Sequence, residues 1–255
     1  MCNRRSTIAG LALLLLCSLF AGCVRLPDSK PPGPWYEAYQ PIDDEASREF
    51  VFLALERAVA EFGEPVIAVN TIMLRRSRKT AEARSYRIGE DFSLTECVDA
   101  SNGVYVIYIG VDPDHKNYYA LLGHECAHLL NPRITDWYME GLATVFSEQV
   151  CQTLGKEWGD WKQRFERSRR EPYALSYRMM LALQQAFPDE YPLLVGCAVP
   201  NGHGPKWLRI DIDAWLVNLP KERRAEALAI IEPHVSGLSR QTSKQYGFTA
   251  PAELE

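Results

Sequence analysis

The chain has 255 residues, of which 47% are hydrophobic and 24% are charged, and its formal net charge is −5. This composition is typical of a globular protein, and the length allows one large domain or two lobes that share a cleft. The basic clusters at 75–79 and 167–170 are too short to predict a nucleic-acid surface, so we expect no nucleic-acid partner.

The first predicted element is an export leader. A short basic head at 1–5 precedes an apolar run at 8–20, which is shorter than the roughly 20 residues that a membrane-spanning helix needs. The run ends in the sequence LFAGC, which resembles the lipobox of bacterial lipoproteins. This resemblance implies cleavage of a signal peptide at 1–22 and acylation of Cys23. An ordinary signal peptide followed by a chance cysteine is the alternative.

A tether to a lipid bilayer is expected after the acylated cysteine. Val24 follows Cys23, and by the same resemblance this implies sorting to the outer membrane of a Gram-negative cell, facing the periplasm. The stretch 27–34 contains four prolines, which favour an extended chain over a helix. We therefore predict a tether at 23–42 and a folded body from residue 43.

Four cysteines remain in the body of the chain once the leader is removed and Cys23 is acylated. They are Cys97, Cys126, Cys151 and Cys197. In an oxidising compartment four thiols permit two disulfides with three possible pairings. Four buried free thiols are the alternative, and the sequence does not choose between them.

The body, residues 43–235, is predicted to have an α+β fold. Runs of β-branched and aromatic residues predict strands at 66–74 and 104–109, and no strand is predicted after residue 110. Helices are predicted at 43–62, 116–130, 136–154, 157–169, 173–186, 210–218 and 220–232. This order indicates a small N-terminal sheet lobe and a mainly helical C-terminal lobe, followed by a poorly packed tail at 236–255.

The helix predicted at 116–130 contains the candidate metal ligands and a candidate catalytic base. It contains the pattern H-E-x-x-H, in which His124 and His128 are four residues apart and therefore project from one face of the helix. Both imidazoles can then bind one Zn²⁺ ion. Glu125 flanks this position and can accept a proton from water at the metal. Two buried histidines without a metal would each need a separate partner.

A third ligand is expected because a catalytic zinc has three protein ligands and one open position. Glu140 lies in the sequence WYMEGLA at 137–143. With H-E-x-x-H, this sequence resembles the gluzincin metallopeptidases, in which a Glu on the following helix completes the site. The resemblance implies a zincin-like fold and a single Zn²⁺ held by His124, His128 and Glu140. Asp136 as the third ligand, as in an aspzincin-like site, is the alternative.

The resemblance also shows where this chain departs from two related families. Thermolysin-like members have an Asp that supports a metal-bound His, four residues after the ligand Glu, and here that position is Thr144. The partner of the metal-binding histidine is therefore unassigned. Metzincins need a third His six residues after His128, where this chain has Ile134.

Two further features follow from the gluzincin resemblance. It implies that a strand before the active-site helix forms the edge of the substrate cleft, so the strand at 104–109 is either this edge or a core strand. It also implies a side chain that stabilises the oxyanion, for which Tyr173, Tyr177 and His203 are candidates. His115 and His234 have no partner pattern and are expected at the surface.

The resulting expectation is a lipid-anchored zinc metallopeptidase of the bacterial cell envelope, acting on a peptide or protein substrate. His124, His128 and Glu140 would hold the metal, and Glu125 would be the catalytic base. Hydrolysis of another amide, such as a cell-wall peptide amide, is a variant of the same chemistry. A non-catalytic lipoprotein that keeps zinc as a structural or interaction element is the alternative, although such a site has no need of a base at Glu125.

Overall fold

The computed structural model describes residues 39–77, 93–168, 171–202, 206–242 and 247–254. The predicted leader, Cys23 and nearly all of the predicted tether lie outside these ranges. The strands are β1 (Tyr39–Pro41), β2 (Thr71–Ser77), β3 (Ser93–Asp99), β4 (Val104–Ile109), β5 (Ala198–Pro200) and β6 (Leu208–Ile210). The α-helices are α1 (Glu45–Phe62), α2 (Tyr118–His128), α3 (Trp137–Thr153), α4 (Trp161–Arg167), α5 (Pro172–Ala186), α6 (Ile212–Asn218) and α7 (Arg224–Ser239). Short 3₁₀ helices lie at Tyr191–Gly196, Lys221–Arg223 and Ala252–Leu254.

The fold is α+β, as the sequence predicts. Each of the seven predicted helical segments contains a helix. The largest difference is at α7, which continues to Ser239 although Pro233 lies inside it. Proline removes one backbone hydrogen bond from a helix, but Ala227, Ile231 and Leu238 are buried along the same face and hold both halves of α7 in place.

The main sheet has four strands in the order β1-β2-β4-β3. The β2–β4 pair is parallel, while β1–β2 and β3–β4 are antiparallel. β1 covers 39–41, which shows that the last residues of the predicted tether belong to the folded body. Within the described residues, β3 is therefore the edge of the sheet on the side away from β1.

The strand at 104–109 is a core strand, so the prediction that it forms the cleft edge is wrong. All six residues of β4 are buried. Ile107 packs into the main hydrophobic core, whereas Val106 and Tyr108 lie in a second cluster on the other face of the sheet. A continuous apolar run is typical of a strand covered on both faces, and the pairing of β4 with both β2 and β3 places it inside the sheet.

β2 begins later than predicted, at Thr71 instead of residue 66, and it continues through two arginines. Its pairing with β4 begins at Thr71, opposite Val104. A guanidinium nitrogen of Arg75 donates to the backbone oxygen of Tyr39 at 2.7 Å, and Arg76 forms an ion pair with Asp112. A prediction based on apolar residues alone ended this strand too early, because the arginines in its second half form hydrogen bonds and an ion pair instead of apolar contacts.

Two regions of the C-terminal half also differ from the predictions. β5 and β6 form an antiparallel hairpin, although no strand is predicted after residue 110. The predicted loose tail is ordered over 247–254: the Tyr138 hydroxyl donates to the backbone oxygen of Thr249 at 3.0 Å, and Phe248 stacks on Tyr138. Three-residue strands and terminal contacts carry too little periodic signal to be predicted from sequence.

The sheet and the helices share one continuous hydrophobic core. Helix α2 approaches α3 closely at Gly123, where an added Cβ would lie 3.0 Å from the Val150 side chain. α3 approaches α5 still more closely at Gly141, where a Cβ would lie 2.5 Å from the backbone oxygen of Ser176. The first contact places α2 beside α3, and the second places α3 beside α5. No helix in the described part of the chain is both long and apolar enough to cross a membrane.

Candidate metal centre

Helices α2 and α3 bring His124, His128 and Glu140 together. The two Nε2 atoms of the histidines are 3.2 Å apart, and Nε2 of His124 is 3.1 Å from a carboxylate oxygen of Glu140. Nε2 of His128 is 3.7 Å from the other oxygen. All three donor atoms lie within 4.8 Å of one another, so this group could hold a metal ion.

Burial disfavours the charged form of each of these three groups, and at Glu140 a bound cation would offset this cost. Burial lowers the pKa of His128 to about 4 and also lowers the pKa of His124, so both imidazoles are neutral at pH 7. Burial raises the pKa of the Glu140 carboxyl, against the opposing effects of His128 and a hydrogen bond from Tyr173. Neutral imidazoles and a buried carboxylate are the donor set that a divalent cation stabilises, and the residues therefore fit a metal.

Thr144 is the partner that the sequence left unassigned. Its hydroxyl donates to the backbone oxygen of Glu140 at 2.7 Å, and its Oγ1 is 3.3 Å from Nδ1 of His124. Because its hydrogen is used, the hydroxyl can only accept from Nδ1–H. The proton is then on Nδ1, and the lone pair of Nε2 faces the other donor atoms. Thr144 thus selects the tautomer that can ligate a metal.

Glu125 is buried beside this group without belonging to it. Its side chain is 3% exposed, and its Oε2 has no hydrogen-bond partner among the described residues. Burial raises the pKa of its carboxyl, opposed by His124 and by the hydroxyls of Ser93 and Thr95. A buried carboxylate oxygen without a partner is costly, and a group bound at this site would reduce that cost by contacting Oε2 of Glu125.

Asp136 does not join the metal-binding group, so the alternative that makes it the third ligand is wrong. One of its oxygens caps α3 by accepting from the backbone N–H of Met139 at 2.8 Å. The other accepts from the backbone N–H of Ile210 in β6. Both oxygens are therefore occupied in positioning α3, and Glu140 is the carboxylate that reaches the histidines.

A cleft of about 940 Å³ opens onto these residues. One wall is the strand β3, and the hydroxyl of Thr95 in this strand donates to the backbone oxygen of Glu125 at 2.9 Å. The aromatic side chains of Trp161, Phe165 and Tyr173 also line the cleft. The sequence did not predict β3 as a strand that lines the cleft. Ser93, Thr95 and Cys97 are spaced two residues apart, however, which is the spacing of side chains on one face of a strand.

The structure distinguishes two of the three candidates for oxyanion stabilisation, Tyr173 and Tyr177. Tyr173 lines the cleft, with its ring centroid 6.3 Å from that of His124 and its side chain hydrogen-bonded to Glu140. The hydroxyl of Tyr177 instead donates to a carboxylate oxygen of Glu148 at 2.5 Å, and Tyr177 does not line the cleft. His203 lies outside the described residues. Of the two candidates that the structure describes, Tyr173 is therefore the one that lies at the site.

The four cysteines of the body are free thiols, which favours the second of the two alternatives. Cys126 and Cys151 are buried, while Cys97 and Cys197 are partly exposed. Burial raises the pKa of Cys126 and that of Cys151, so both remain protonated thiols at pH 7. None of the four is part of the metal-binding group.

No protein-family model, curated protein or solved structure matches this chain. The residues of the site and their geometry are therefore the indications of what this protein does.

Proposed function

We propose that this protein is a zinc-dependent peptidase with a zincin-type fold. One observation supports the proposal: two imidazole Nε2 atoms and the Glu140 carboxylate converge in a cleft, beside the buried carboxylate of Glu125, whose Oε2 has no hydrogen-bond partner in the described part of the chain. A structural site has no use for this extra carboxylate. A hydrolytic site needs it as a base.

Zinc is the metal that suits this donor set. Two histidines and one carboxylate are a common ligand set of catalytic zinc, and within the described ranges the group contains no fourth side chain that would close the site. When bound, zinc supplies a Lewis acid that polarises a carbonyl and lowers the pKa of water at its open position. The tautomer selected by Thr144 leaves Nε2 of His124 available for such an ion.

Glu125 is proposed to move the proton in the reaction. Its raised pKa makes the carboxylate a stronger base than an exposed Glu, so it can take a proton from the attacking water. It then delivers this proton to the nitrogen of the leaving amine. The hydrogen bond between Thr95 and the backbone of Glu125 ties this base to the strand that lines the cleft.

Tyr173 is proposed to stabilise the negative charge that develops on the carbonyl oxygen. It lines the cleft, and its hydroxyl, which is hydrogen-bonded to Glu140, would donate to the carbonyl oxygen instead once the Glu140 carboxylate binds the metal. A hydrogen-bond donor placed where negative charge develops lowers the activation free energy by about 3 kcal/mol, the size found for one oxyanion-hole donor in acyl transfer.

The strand β3 is proposed to bind an extended substrate. Among the described strands it is hydrogen-bonded only to β4, and residues 93–97 line the cleft. An exposed strand edge offers backbone donors and acceptors that pair with an extended peptide. This favours a peptide bond over other amides as the target, and a cell-wall peptide amide remains a substrate of the same class.

The lipid anchor and the envelope location are proposed from the sequence of the first residues. The resemblance of residues 19–23 to a lipobox supports acylation of Cys23. The test is incorporation of labelled palmitate in a bacterial host. We expect labelling of the wild-type chain and none of Cys23→Ser, and equal labelling of both would contradict the proposal.

The peptidase proposal is tested with the purified protein and its Glu125→Gln variant. We expect both to bind about one equivalent of zinc. We expect wild type to cleave a diverse peptide library and Glu125→Gln to be slower by about 10²–10⁴-fold, because it lacks the base. Glu61→Gln is the matched control and should keep full activity, since the Glu61 carboxylate is also partly buried but accepts from Gln184 and does not line the cleft.

Two outcomes would contradict the peptidase proposal. If wild type binds zinc and cleaves neither peptides nor cell-wall peptide amides, the site is a non-catalytic zinc site with a structural or interaction role. If Glu125→Gln is as active as wild type, the base is wrongly assigned.

A further inference from the structure

The hydrogen bonding of helix α2 changes at Glu125. In a regular α-helix the backbone N–H of Leu129 would donate to the backbone oxygen of Glu125, four residues earlier. Here the N–H of Leu129 donates to the backbone oxygen of Cys126 at 3.2 Å, and that of Leu130 donates to Ala127 at 3.2 Å. The end of α2 is therefore tightened, and the backbone oxygen of Glu125 needs a donor from another element.

Strand β3 supplies this donor. The hydroxyl of Thr95 donates to the backbone oxygen of Glu125 at 2.9 Å, and both residues are buried. Because the bond is shielded from water, removing the hydroxyl would leave a buried oxygen without a donor, which is costly. Thr95 therefore determines where the backbone of the proposed base lies relative to β3.

A second hydroxyl of β3 contacts the side chain of the same residue. Ser93 lies two positions before Thr95, so both side chains are on the face of β3 that is turned toward α2. The hydroxyl of Ser93 is hydrogen-bonded to the carboxyl of Glu125. Oε2 of this carboxyl has no partner among the described residues, so Ser93 orients the carboxyl without occupying Oε2.

The proposed substrate pairs with the same strand. Residues 93–97 line the cleft, and among the described strands β3 is hydrogen-bonded only to β4. A peptide paired with the other edge of β3 would have a fixed register relative to Ser93 and Thr95. One strand would then set the position of both the peptide and the base, and a misplacement of about 1 Å at such a site can slow a reaction about 100-fold.

We propose that Thr95 and Ser93 are positioning residues, which hold Glu125 in register with a peptide bound along β3. Thr95 acts on the backbone of Glu125, and Ser93 acts on its carboxyl. The inference rests on the proposed function, because it takes Glu125 as the base and β3 as the strand that binds the substrate.

Steady-state kinetics of variants that lack one hydroxyl test this inference. Thr95→Val keeps the shape of the side chain, and Ser93→Ala changes a residue that is only partly buried. We expect each variant to lower kcat about tenfold, because the base is misplaced, and to change KM by less than about twofold, because the strand edge is intact. Thr95→Ser keeps the hydroxyl and should have a kcat within about threefold of wild type.

Ser147→Ala is the matched control. Ser147 is a buried residue of α3 whose hydroxyl donates to the backbone oxygen of Ala120 at 2.6 Å. It makes the same kind of bond to α2, more than one helical turn from Glu125. Its loss should lower the free energy of unfolding and leave kcat within about twofold of wild type. A loss of kcat as large as that of Thr95→Val would overturn the inference, because any weakening of the contacts of α2 would then have the same effect.

Crystal structures of the zinc-loaded protein give a second readout, which does not require turnover. We expect a single conformer of the Glu125 side chain in wild type. In the double variant Thr95→Val, Ser93→Ala we expect this side chain to be displaced or divided between conformers. The comparison measures the position of Glu125 directly, whatever reaction the protein catalyses.

The two readouts bear separately on the two proposals. A Glu125 side chain that keeps its place in the double variant would overturn the positioning roles, whether or not the protein cleaves peptides. A Thr95→Ser protein as slow as Thr95→Val would also overturn them. A displaced Glu125 side chain, combined with no peptide cleavage by wild type, would support the positioning of Glu125 and contradict the peptidase.

Discussion

At the scale of single residues, Thr144 connects two of the proposed metal ligands. One hydroxyl lies between Nδ1 of His124 and the backbone oxygen of Glu140. It therefore holds the imidazole of α2 and the ligand-bearing turn of α3 in a fixed relation. Thr144 is fully buried, so no water competes for these bonds.

We expect Thr144→Val to weaken zinc binding by about 10–100-fold, because His124 loses the partner that fixes its tautomer. Valine keeps the shape of the side chain, which limits the effect on packing. The measurement is a competition titration against a zinc chelator of known affinity. Thr153→Val is the matched control: Thr153 donates to the backbone oxygen of Gln149 in the same helix but is exposed. Equal affinities of the two variants would show that Thr144 does not orient the histidine.

His234 is a second residue with a measurable electrostatic effect, far from the proposed metal ligands along the chain. It was expected at the surface, but it is only partly exposed, and its Nδ1 is buried without a hydrogen-bond partner among the described residues. Burial, and to a lesser extent the positive charge of Arg178, lower its pKa. The folded protein therefore resists protonation of this imidazole.

We expect this lowered pKa to reduce stability in mild acid. Below a pH of about 6.5 the unfolded chain protonates His234 and the folded chain does not, so the free energy of unfolding decreases as pH falls. Urea unfolding of wild type and His234→Gln between pH 7.5 and 5 measures this effect. Wild type should lose more stability than the variant over this range. Parallel pH profiles of the two proteins would contradict the expectation.

At the scale of secondary-structure elements, α3 is held on two sides. Asp136 caps its first turn and binds the backbone of β6, which sets the position of Glu140 one turn later. Gly141 then lets the helix touch the backbone of α5 at Ser176. The ligand-bearing turn is therefore placed by contacts with β6 and α5 as well as with α2.

We expect Gly141→Ala to lower the free energy of unfolding by about 1–2 kcal/mol. The added Cβ would meet the backbone oxygen of Ser176 at 2.5 Å, and this clash outweighs the gain of about 0.5–1 kcal/mol from replacing a helical glycine. Urea denaturation measures the change. Gly196→Ala is the control, because no atom lies within 4 Å of its added Cβ. A Gly141→Ala protein as stable as this control would show that α3 can move away from α5.

At the scale of the whole molecule, the site joins parts of the chain that lie in different layers. His124 and His128 come from the helix packed under the sheet, and Glu140 comes from the next helix in the helical layer. Segment 133–137 lies between β6 on one side and Gly247 on the other. A metal ion bound at the site would cross-link α2 and α3 and would therefore stabilise the folded state as a whole.

We expect removal of the metal with a chelator to lower the unfolding temperature by about 5–10 °C. Free zinc at about 100 times its dissociation constant contributes roughly 2.7 kcal/mol, and each kcal/mol shifts Tm by about 2–4 °C at this chain length. Differential scanning calorimetry with and without zinc measures the shift. Glu140→Ala should show a much smaller shift, because it lacks one of three ligands. The same response in both proteins would mean that Glu140 does not bind the ion.

Sequence and tertiary structure contributed to different parts of this result. The helices and the pair His124 and His128 could be predicted from sequence, because helical periodicity is local and spaces two side chains four residues apart on one face. The choice of Glu140 over Asp136 as the third metal ligand could also be predicted, because Glu140 lies in the sequence WYMEGLA. The contribution of Thr144 could not be predicted, because it depends on a distance between two helices.

Only the tertiary structure decided which strand faces the cleft and which tyrosine reaches the site. The apolar pattern at 104–109 is the same for a core strand and for an edge strand until the neighbouring strands are known. Tyr173 and Tyr177 lie one turn apart on α5, yet they reach different partners, Glu140 and Glu148. Strand pairing and helix packing bring together residues that are distant in the chain, and local sequence patterns do not indicate which of these residues will be in contact.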